Sequence, residues 1–463
     1  MIHFQALKSN KALRRFCLII VSSFFLLLPA LYNGFPIVTQ DTGTNIACGW
    51  KFYVPIDRPI TYGIFILISS LFGISLWGVV WAQTFILVYY LRRVVEKLLG
   101  TLYNDRFFLA IIIILTAFTT IPWYCSQLLP DIFTSILVLA VVDFYLSPRG
   151  SLGKRILTFI AICIFIEMHN SHLIIALIFC VCARFYSLVR RNKWFIKKTL
   201  VLFFITLTSF VTISFFNLWE GNSFRPSASS HVFLMARMTE TGLLDDFLKE
   251  YCPTEHYTLC KYQGQTGDRY WDFMWSDKGH LHDVGGWDKA EKEYNTIIRR
   301  TLTRPKYLAF HIYESFEGTL RQLSQYTIEF VPQGPGSSPY NTIEQYYPRE
   351  IKEYRTSLQQ IDRLGTKMPV FDVVFLFFGL GTIVVALFVY NNKPGNPGQL
   401  NWNFTLIIFL AFSIVNAWVT ATFSTVYLRM ESRVLWLIPF ACTLYILKNY
   451  LEQRESRQKH ISP

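Results

Sequence analysis

Asp41 is an isolated carboxylate in the stretch Asn33 to Tyr62, NGFPIVTQDTGTNIACGWKFYVPIDRPITY, and it is the first candidate for chemistry in this chain. The stretch lies between two strongly apolar segments and reads as the first loop of a polytopic membrane protein. A simple connector needs only a few polar residues, whereas this one also carries Lys51, Asp57 and Arg58. A carboxylate in such a place can act as a general base, and a neighbouring arginine can hold an anion with its planar fork of donors. Thr42, Gly43 and Thr44 follow Asp41 and are small enough to leave room for a sugar. The competing account of the same residues is an Asx-type turn in Asp-Thr-Gly.

Further candidates stand at the ends of other apolar segments. Asp131 follows Pro130 in the first turn of an expected helix, where an acid complements the helix dipole as readily as it contacts a substrate or metal. Glu167, His169, Asn170 and His172 crowd together in FIEMHNSHL. The two histidines are spaced i,i+3 and can share a helix face, but two ligands alone do not specify a metal. Arg429 and Arg433, in STVYLRMESRVLWLIP, are spaced i,i+4 and can present two guanidinium forks to one anion, or pair internally through Glu431. The segment RYWDFMWSDKGHLHDVGGW sets Tyr and Trp beside Asp, His and Gly, a mixture that suits ring-shaped polar ligands or a small domain burying its own aromatics. No Walker loop, dinucleotide glycine fingerprint, G-x-S-x-G elbow or H-E-x-x-H is present, and no cofactor is expected.

Membrane helices are the elements that must position these groups. The 463 residues are 52% hydrophobic and only 16% charged, too apolar for a soluble chain of this length. Apolar runs of membrane-crossing length recur. They predict ten spans, at about 16–32, 74–91, 107–122, 129–147, 156–168, 172–188, 199–217, 369–390, 403–424 and 434–448. A helix over 61–73 is expected to lie along the outer surface. The net charge of +13 fits basic cytoplasmic loops better than a nucleic-acid partner, since no basic stripe marks a soluble domain. Half of the 44 Lys and Arg fall on one side of the ten spans, with few acids, which puts both termini in the cytoplasm. Most of the other half lie in one long loop, and long loops cross regardless of charge.

The expected fold is therefore an all-α polytopic membrane protein. Residues 1–217 form an N-terminal membrane module whose first outer loop, 33–73, carries Asp41. Residues 218–368 form a large, mainly α outer domain, and 369–463 a second membrane module with a cytoplasmic tail. Within the outer domain, a helix starting at Ser229 or Ser230 and a pair of helices broken at Arg304-Pro305 are expected, and VPQGPGSSPYN reads as a loop. Nine cysteines are scattered without zinc-site spacing. Cys252 and Cys260, with seven residues between them, are the pair expected to form a disulfide in an oxidising compartment.

Most of the candidate ionisable groups fall at the outer ends of the spans, where cytosolic nucleotide sugars do not reach. An activated donor must then arrive attached to a lipid, and a lipid phosphate suits arginines working beside a carboxylate base. In GFPIVTQDTG, RPITYGIF, LLPDIF and RMESRVLWLIP the chain resembles the glycosyltransferase-C superfamily of polytopic enzymes, which includes protein O-mannosyltransferases and the lipid A aminoarabinose transferase. The resemblance spans most of 1–220 and 369–448, whereas 218–368 matches none of the family's well-known outer domains. It implies an inverting transfer from a polyprenyl-phosphate-linked sugar to a glycan, lipid or protein acceptor at the periplasmic face of a bacterial inner membrane. It also implies Asp41 as general base and Arg58, Arg429 or Arg433 as phosphate contacts. Related first loops often hold an acid pair. Here Thr42 follows Asp41, so a two-carboxylate metal site is not indicated. The alternatives are an O-antigen polymerase or ligase, which would shift weight to His231, Arg237 and Arg321, and a lipid or solute transporter, against which no charged residue falls near the middle of a span.

Overall fold

Apolar runs punctuated by Pro, Gly and Asn become helices along the whole chain. The computed structural model describes residues 11–148, 150–189, 193–265, 270–276, 279–365, 369–391 and 399–461. Of the basic residues expected on the cytoplasmic side, Lys8, Arg149, Arg190, Arg191 and Lys393 lie outside the described residues. Among the described residues there is no sheet, only an isolated parallel bridge between Ile37 and Gln127.

The first half contains α1 (Lys11–Leu26), α2 (Leu28–Asn33), α3 (Gln40–Lys51), α4 (Thr61–Ser69), α5 (Trp77–Leu99), α6 (Asp105–Phe118), α7 (Ile121–Ser126), α8 (Ile132–Leu146), α9 (Leu152–Glu167), α10 (Asn170–Val189) and α11 (Lys193–Trp219). The second half contains α12 (Ser230–Glu240), α13 (Leu243–Tyr251), α14 (Tyr270–Trp275), α15 (His280–Asp283), α16 (Gly286–Lys289), α17 (Glu291–Thr303), α18 (Pro305–Leu323), α19 (Ser338–Tyr346) and α20 (Ile351–Thr356). It ends with α21 (Pro369–Asn391), α22 (Gln399–Phe423), α23 (Leu428–Leu435) and α24 (Leu437–Ile461).

Five stretches are helical, long and apolar enough to cross a membrane: Asn170–Leu188, Phe195–Trp219, Val370–Tyr390, Trp402–Phe423 and Leu428–Gln458. The other five expected spans are helical too, but shorter, interrupted or more polar. The first is broken at Leu27, ahead of Pro29, and the fifth starts earlier than expected, at Leu152. Asp143 sits inside the expected fourth span, near its end, and pairs with Arg93 (3.0 Å) and Lys97.

The stretch around Asp41 is a helix, not a loop with an Asx turn. Thr42 Oγ1 accepts from the Thr39 N–H (2.9 Å) at the start of α3 and donates to the Leu128 carbonyl (3.1 Å), so a local cap and a distant anchor start the helix together. The small residues after Asp41 do not leave room for a sugar. Gly43 packs so closely against Ser338 and Pro339 that a Cβ there would lie 2.6 Å from the Pro339 nitrogen. The surface helix also ends sooner than 73, at Ser69. Leu71 and Phe72 adopt φ of 53° and 55°, and the turn is held by Ser70 Oγ against Tyr347 Oη (2.8 Å) and by the Glu350 carboxylate, which accepts from Leu76 N–H (2.9 Å).

Residues 218–368 do not close on one core. Val232, Met235, Leu244, Phe247, Leu259, Phe273, Tyr294 and Ile297 form the centre of a separate helical lobe. Its chain breaks fall at Gly242, in the left-handed region, and at Arg304 before Pro305. Cys252 and Cys260 are joined in a disulfide, with Cα atoms 5.7 Å apart. Beyond it α18 runs against α22, with Ser315 Oγ 2.7 Å from Thr422 Oγ1. Residues 326–364 then return to the first module. Tyr340, Ile343, Tyr347 and Tyr354 join its core, and the Gln359 amide bonds both the N–H (3.1 Å) and the carbonyl (2.8 Å) of Val38. The Pro/Gly-rich run is a loop over 331–337, and Ser337 then caps α19, which packs on Gly43.

Candidate active site

Asp41 lies in the first turn of α3, and its two carboxylate oxygens face two different arginines. Arg58 Nη2 is 2.9 Å from Oδ1, and Arg429 Nη2 is 2.5 Å from Oδ2. Arg58 is also shared with Asp57 (2.5 Å). Arg429 approaches Asp131 (3.8 Å), and Asp131 in turn holds Arg433. The result is an alternating row, Asp57, Arg58, Asp41, Arg429, Asp131, Arg433, in which three carboxylates and three guanidiniums balance.

Local packing fixes each member. The α23 backbone is tied to α7 and α8 by three hydroxyls: Thr120 donates to the Ser432 carbonyl (2.7 Å), Tyr124 to the Arg429 carbonyl (2.7 Å), and Ser135 to the Arg433 carbonyl. Asn170 donates to the Asp57 carbonyl (3.2 Å), bringing the start of α10 against the row. Arg433 Nη2 also donates to Asn416 Oδ1 (2.8 Å) on α22. Glu431 turns away from both arginines and accepts from Asn416 (2.8 Å) and Ser413, so the internal pairing through Glu431 does not form. Asp131 makes no side-chain cap to α8, because its carboxylate is taken by the arginines.

Exposure separates the arginines. The Arg433 side chain is 0% exposed and Asp131 3%, whereas Arg58 is 19%, Arg429 24% and Asp41 25% exposed. Arg433 is thus committed to the interior, and the groups within reach of a ligand are Asp41 with Arg58 and Arg429. Burial alone would push the Asp41 carboxyl up. Arg58 and then Arg429 outweigh it and hold the group well below the usual carboxylate range. Burial likewise works against the Arg58 charge, and Asp41 and Asp57 outweigh it. Asp41 is therefore ionised but a poor base while both arginines hold it.

His169 is half-buried before α10. Its Nδ1 accepts from the Ser171 N–H (3.2 Å), which leaves the ring proton on Nε2. Burial, and after it the charges of Arg433, Arg429 and Arg58, hold its imidazole neutral. His172 has both ring nitrogens engaged, with Thr134 Oγ1 (2.8 Å) and the Phe165 carbonyl (2.8 Å), so the pair does not offer two free ligands to a metal. Among the described residues no group of three or more His, Cys, Asp or Glu could hold a metal ion, and within the row an arginine separates each carboxylate from the next.

The remaining candidates lie apart. Lys51 is exposed at the end of α3, and Glu167 is buried at the end of α9 while the arginines pair with other acids. His231 Nε2 is bound to the Trp287 carbonyl inside the lobe (3.0 Å), Arg237 pairs with Glu240 (2.6 Å), and Arg321 approaches Glu317 on α18 (3.6 Å). Arg237 also approaches Glu314 on α18 (3.8 Å). Sequence reasoning missed Tyr427 and Asn416. Tyr427 stacks its ring against Arg429, with 5.6 Å from guanidinium carbon to centroid. For Asn416 there was a signal, a fully polar amide within an apolar span. Comparison of the chain with protein-family models, curated proteins and solved structures finds no match.

Proposed function

We propose that this chain is a membrane glycosyltransferase that moves a sugar from a polyprenyl-phosphate-linked donor to an acceptor hydroxyl at the outer face of a membrane. The observation that carries the reading is the sharing of one partly exposed carboxylate, Asp41, by two partly exposed arginines from opposite ends of the chain. Two guanidiniums converging on one anionic group form a site for a phosphate, which accepts forked contacts as a carboxylate does. Asp41 makes those contacts to Arg58 and Arg429 itself. A donor phosphate competes for Arg58 and Arg429, and as they turn to it the Asp41 carboxylate regains ordinary basicity. The acceptor oxygen then attacks the anomeric carbon with inversion. The bond to the acceptor forms, the bond from the anomeric carbon to the phosphate oxygen breaks, and the acceptor proton passes to Asp41. Arg58 and Arg429 stabilise the charge on the departing polyprenyl phosphate. The buried Asp131–Arg433 pair braces Arg429 from behind.

In this reading the chain spans the membrane ten times with both termini in the cytoplasm. Cysteines introduced near Gly334 should react with an impermeant thiol reagent in intact cells, and ones in the 454–461 segment should be protected. The reverse pattern would refute the orientation. The polymerase or ligase alternative would instead draw on His231, Arg237 and Arg321, which contact the Trp287 carbonyl, Glu240 and Glu317.

The chemical test uses purified protein in nanodiscs with polyprenyl-phosphate sugar, following release of polyprenyl phosphate. Asp41→Asn should remain folded and bind the donor at least as tightly as the wild type, because the competing carboxylate charge is gone. Transfer should fall by roughly 10²–10⁴-fold. Near-normal transfer by that variant removes Asp41 as base, and failure of the wild type to bind the donor removes the whole reading.

A further inference from the structure

The lobe and the row of charges meet at one place. The first turn of α14 divides its rings: Tyr270 and Phe273 turn inward at 3% and 0% exposure, while the Trp271 indole is 48% exposed. Trp271 is not a loose surface residue. Tyr270 Oη bonds Ser424 Oγ (2.8 Å), which pins α14 to the segment leading into α23. The Trp271 ring then meets the Tyr427 ring edge to face, with centroids 5.5 Å apart and planes at 68°. Tyr427 is clamped on three sides. Its N–H donates to Gln322 Oε1 (2.9 Å), its carbonyl accepts from Gln322 Nε2 (2.9 Å), and its hydroxyl donates to Glu329 (3.0 Å). Its ring also carries Arg429, whose guanidinium reaches Asp41.

We propose that Trp271 and Tyr427 form the wall of an acceptor subsite, and that the acceptor is a carbohydrate. This rests on the reading of Asp41 and Arg429 as the reacting centre. Two rigid rings set nearly at right angles offer an apolar face for the C–H side of a pyranose. The Glu329 carboxylate beside them accepts from the hydroxyls on its edge. A sugar ring presents both kinds of surface at once. A lipid chain does not, because the wall is interrupted by Glu329 and Arg429. An extended peptide is usually held through main-chain hydrogen bonds, and both backbone groups of Tyr427 are already taken by Gln322. The wall continues directly into Arg429 and Asp41, so a sugar stacked on it is held beside the carboxylate that takes its proton. The lobe thereby has a role in the reaction. It supplies Trp271, whereas Tyr427 comes from the connection between α22 and α23.

The test uses the full chain in nanodiscs, labelled with 5-fluorotryptophan, and a panel of soluble neutral, amino-sugar and uronic-acid oligosaccharides. Unstructured peptides rich in Ser and Thr serve as the comparison. The Trp271 fluorine resonance is assigned by its loss in Trp271→Phe. At least one oligosaccharide class should shift it. Trp271→Ala should weaken that oligosaccharide by roughly tenfold, and Trp271→Phe, which keeps a ring face, by less. Glu329→Gln should weaken it as well, giving a second variant that leaves α14 untouched. Polyprenyl-phosphate affinity should be the same in all three variants and the wild type. Binding of no oligosaccharide, wild-type affinity in both Trp271→Ala and Glu329→Gln, or a Trp271 shift produced by the peptides alone overturns the inference. Failure of the wild type to bind polyprenyl phosphate, with the oligosaccharide response intact, counts against the donor reading instead and leaves the wall standing as a carbohydrate site.

Discussion

Replacing Asp131 by Asn tests whether Arg433 is an interior brace or a ligand contact. Arg433 is fully buried, with one Nη on Asp131, the other on Asn416 and, among the described residues, no hydrogen-bond partner for Nε. Asn at 131 keeps the shape but removes the charge, so the guanidinium stays out of water with only neutral acceptors. Breaking a buried pair from one side costs about 3–5 kcal/mol, because the surviving charge is uncompensated. The Arg14–Asp105 pair is a built-in comparison. Its arginine side chain is 58% exposed, and solvent-exposed pairs of that kind contribute little to stability. Asp131→Asn should therefore lower the unfolding midpoint in nanodiscs by several degrees, and Asp105→Asn should be nearly silent. The double variant Asp131→Leu, Arg433→Met removes both charges, and should recover most of the loss, since apolar replacements of similar volume are often neutral or better. If Asp131→Asn costs less than about 1 kcal/mol, Arg433 is not committed to Asp131 and the division between buried brace and accessible phosphate contacts fails.

Three other outcomes follow from named contacts. Asp41 titrates below its unfolded value of about 3.9, so its contribution is fully present above that pH and drains as pH falls towards the folded value. The stability gap between wild type and Asp41→Asn should shrink on acidification below about pH 4, and a gap independent of pH contradicts the ion pairing. Gly43→Val puts side-chain atoms into the Ser338–Pro339 backbone and should cost about 1–3 kcal/mol in chemical denaturation, whereas Gly153→Ala, with open space around it, should be neutral. Reducing Cys252–Cys260, which closes a separation of 8 residues, should destabilise the lobe by about 2.5 kcal/mol, read as faster proteolysis within 230–303. Free thiols at both positions without reductant remove that prediction.

Much of the helical layout was legible because its signals are local. Apolar runs, the Arg304-Pro305 break between α17 and α18, and the short spacing of Cys252 and Cys260 each depend on residues within a few turns of one another. The types of the candidate residues were legible as well, since an acid or arginine beside an apolar run stands out. Their partners were not. Asp41 and Arg429 are 388 positions apart, and Asp131 and Arg433 are 302 apart. No periodicity reports which carboxylate a guanidinium reaches across such distances. The same limit hid α3. Its Thr39–Thr42 cap resembles a turn when read alone, and it becomes a helix start because Leu128 anchors Thr42 and α19 packs on Gly43. It also hid the return of 326–364 to the first module, where Gln359 satisfies the Val38 backbone. The sequence by itself determined the all-α class, the positions of most of the long helices and the kinds of charged group available. Only the tertiary structure decided that Asp41 sits between two arginines, that Arg433 is buried and that Trp271 reaches Tyr427. Hydrophobic pattern selects helix faces locally, whereas ion pairs and ring contacts form only after those faces have packed.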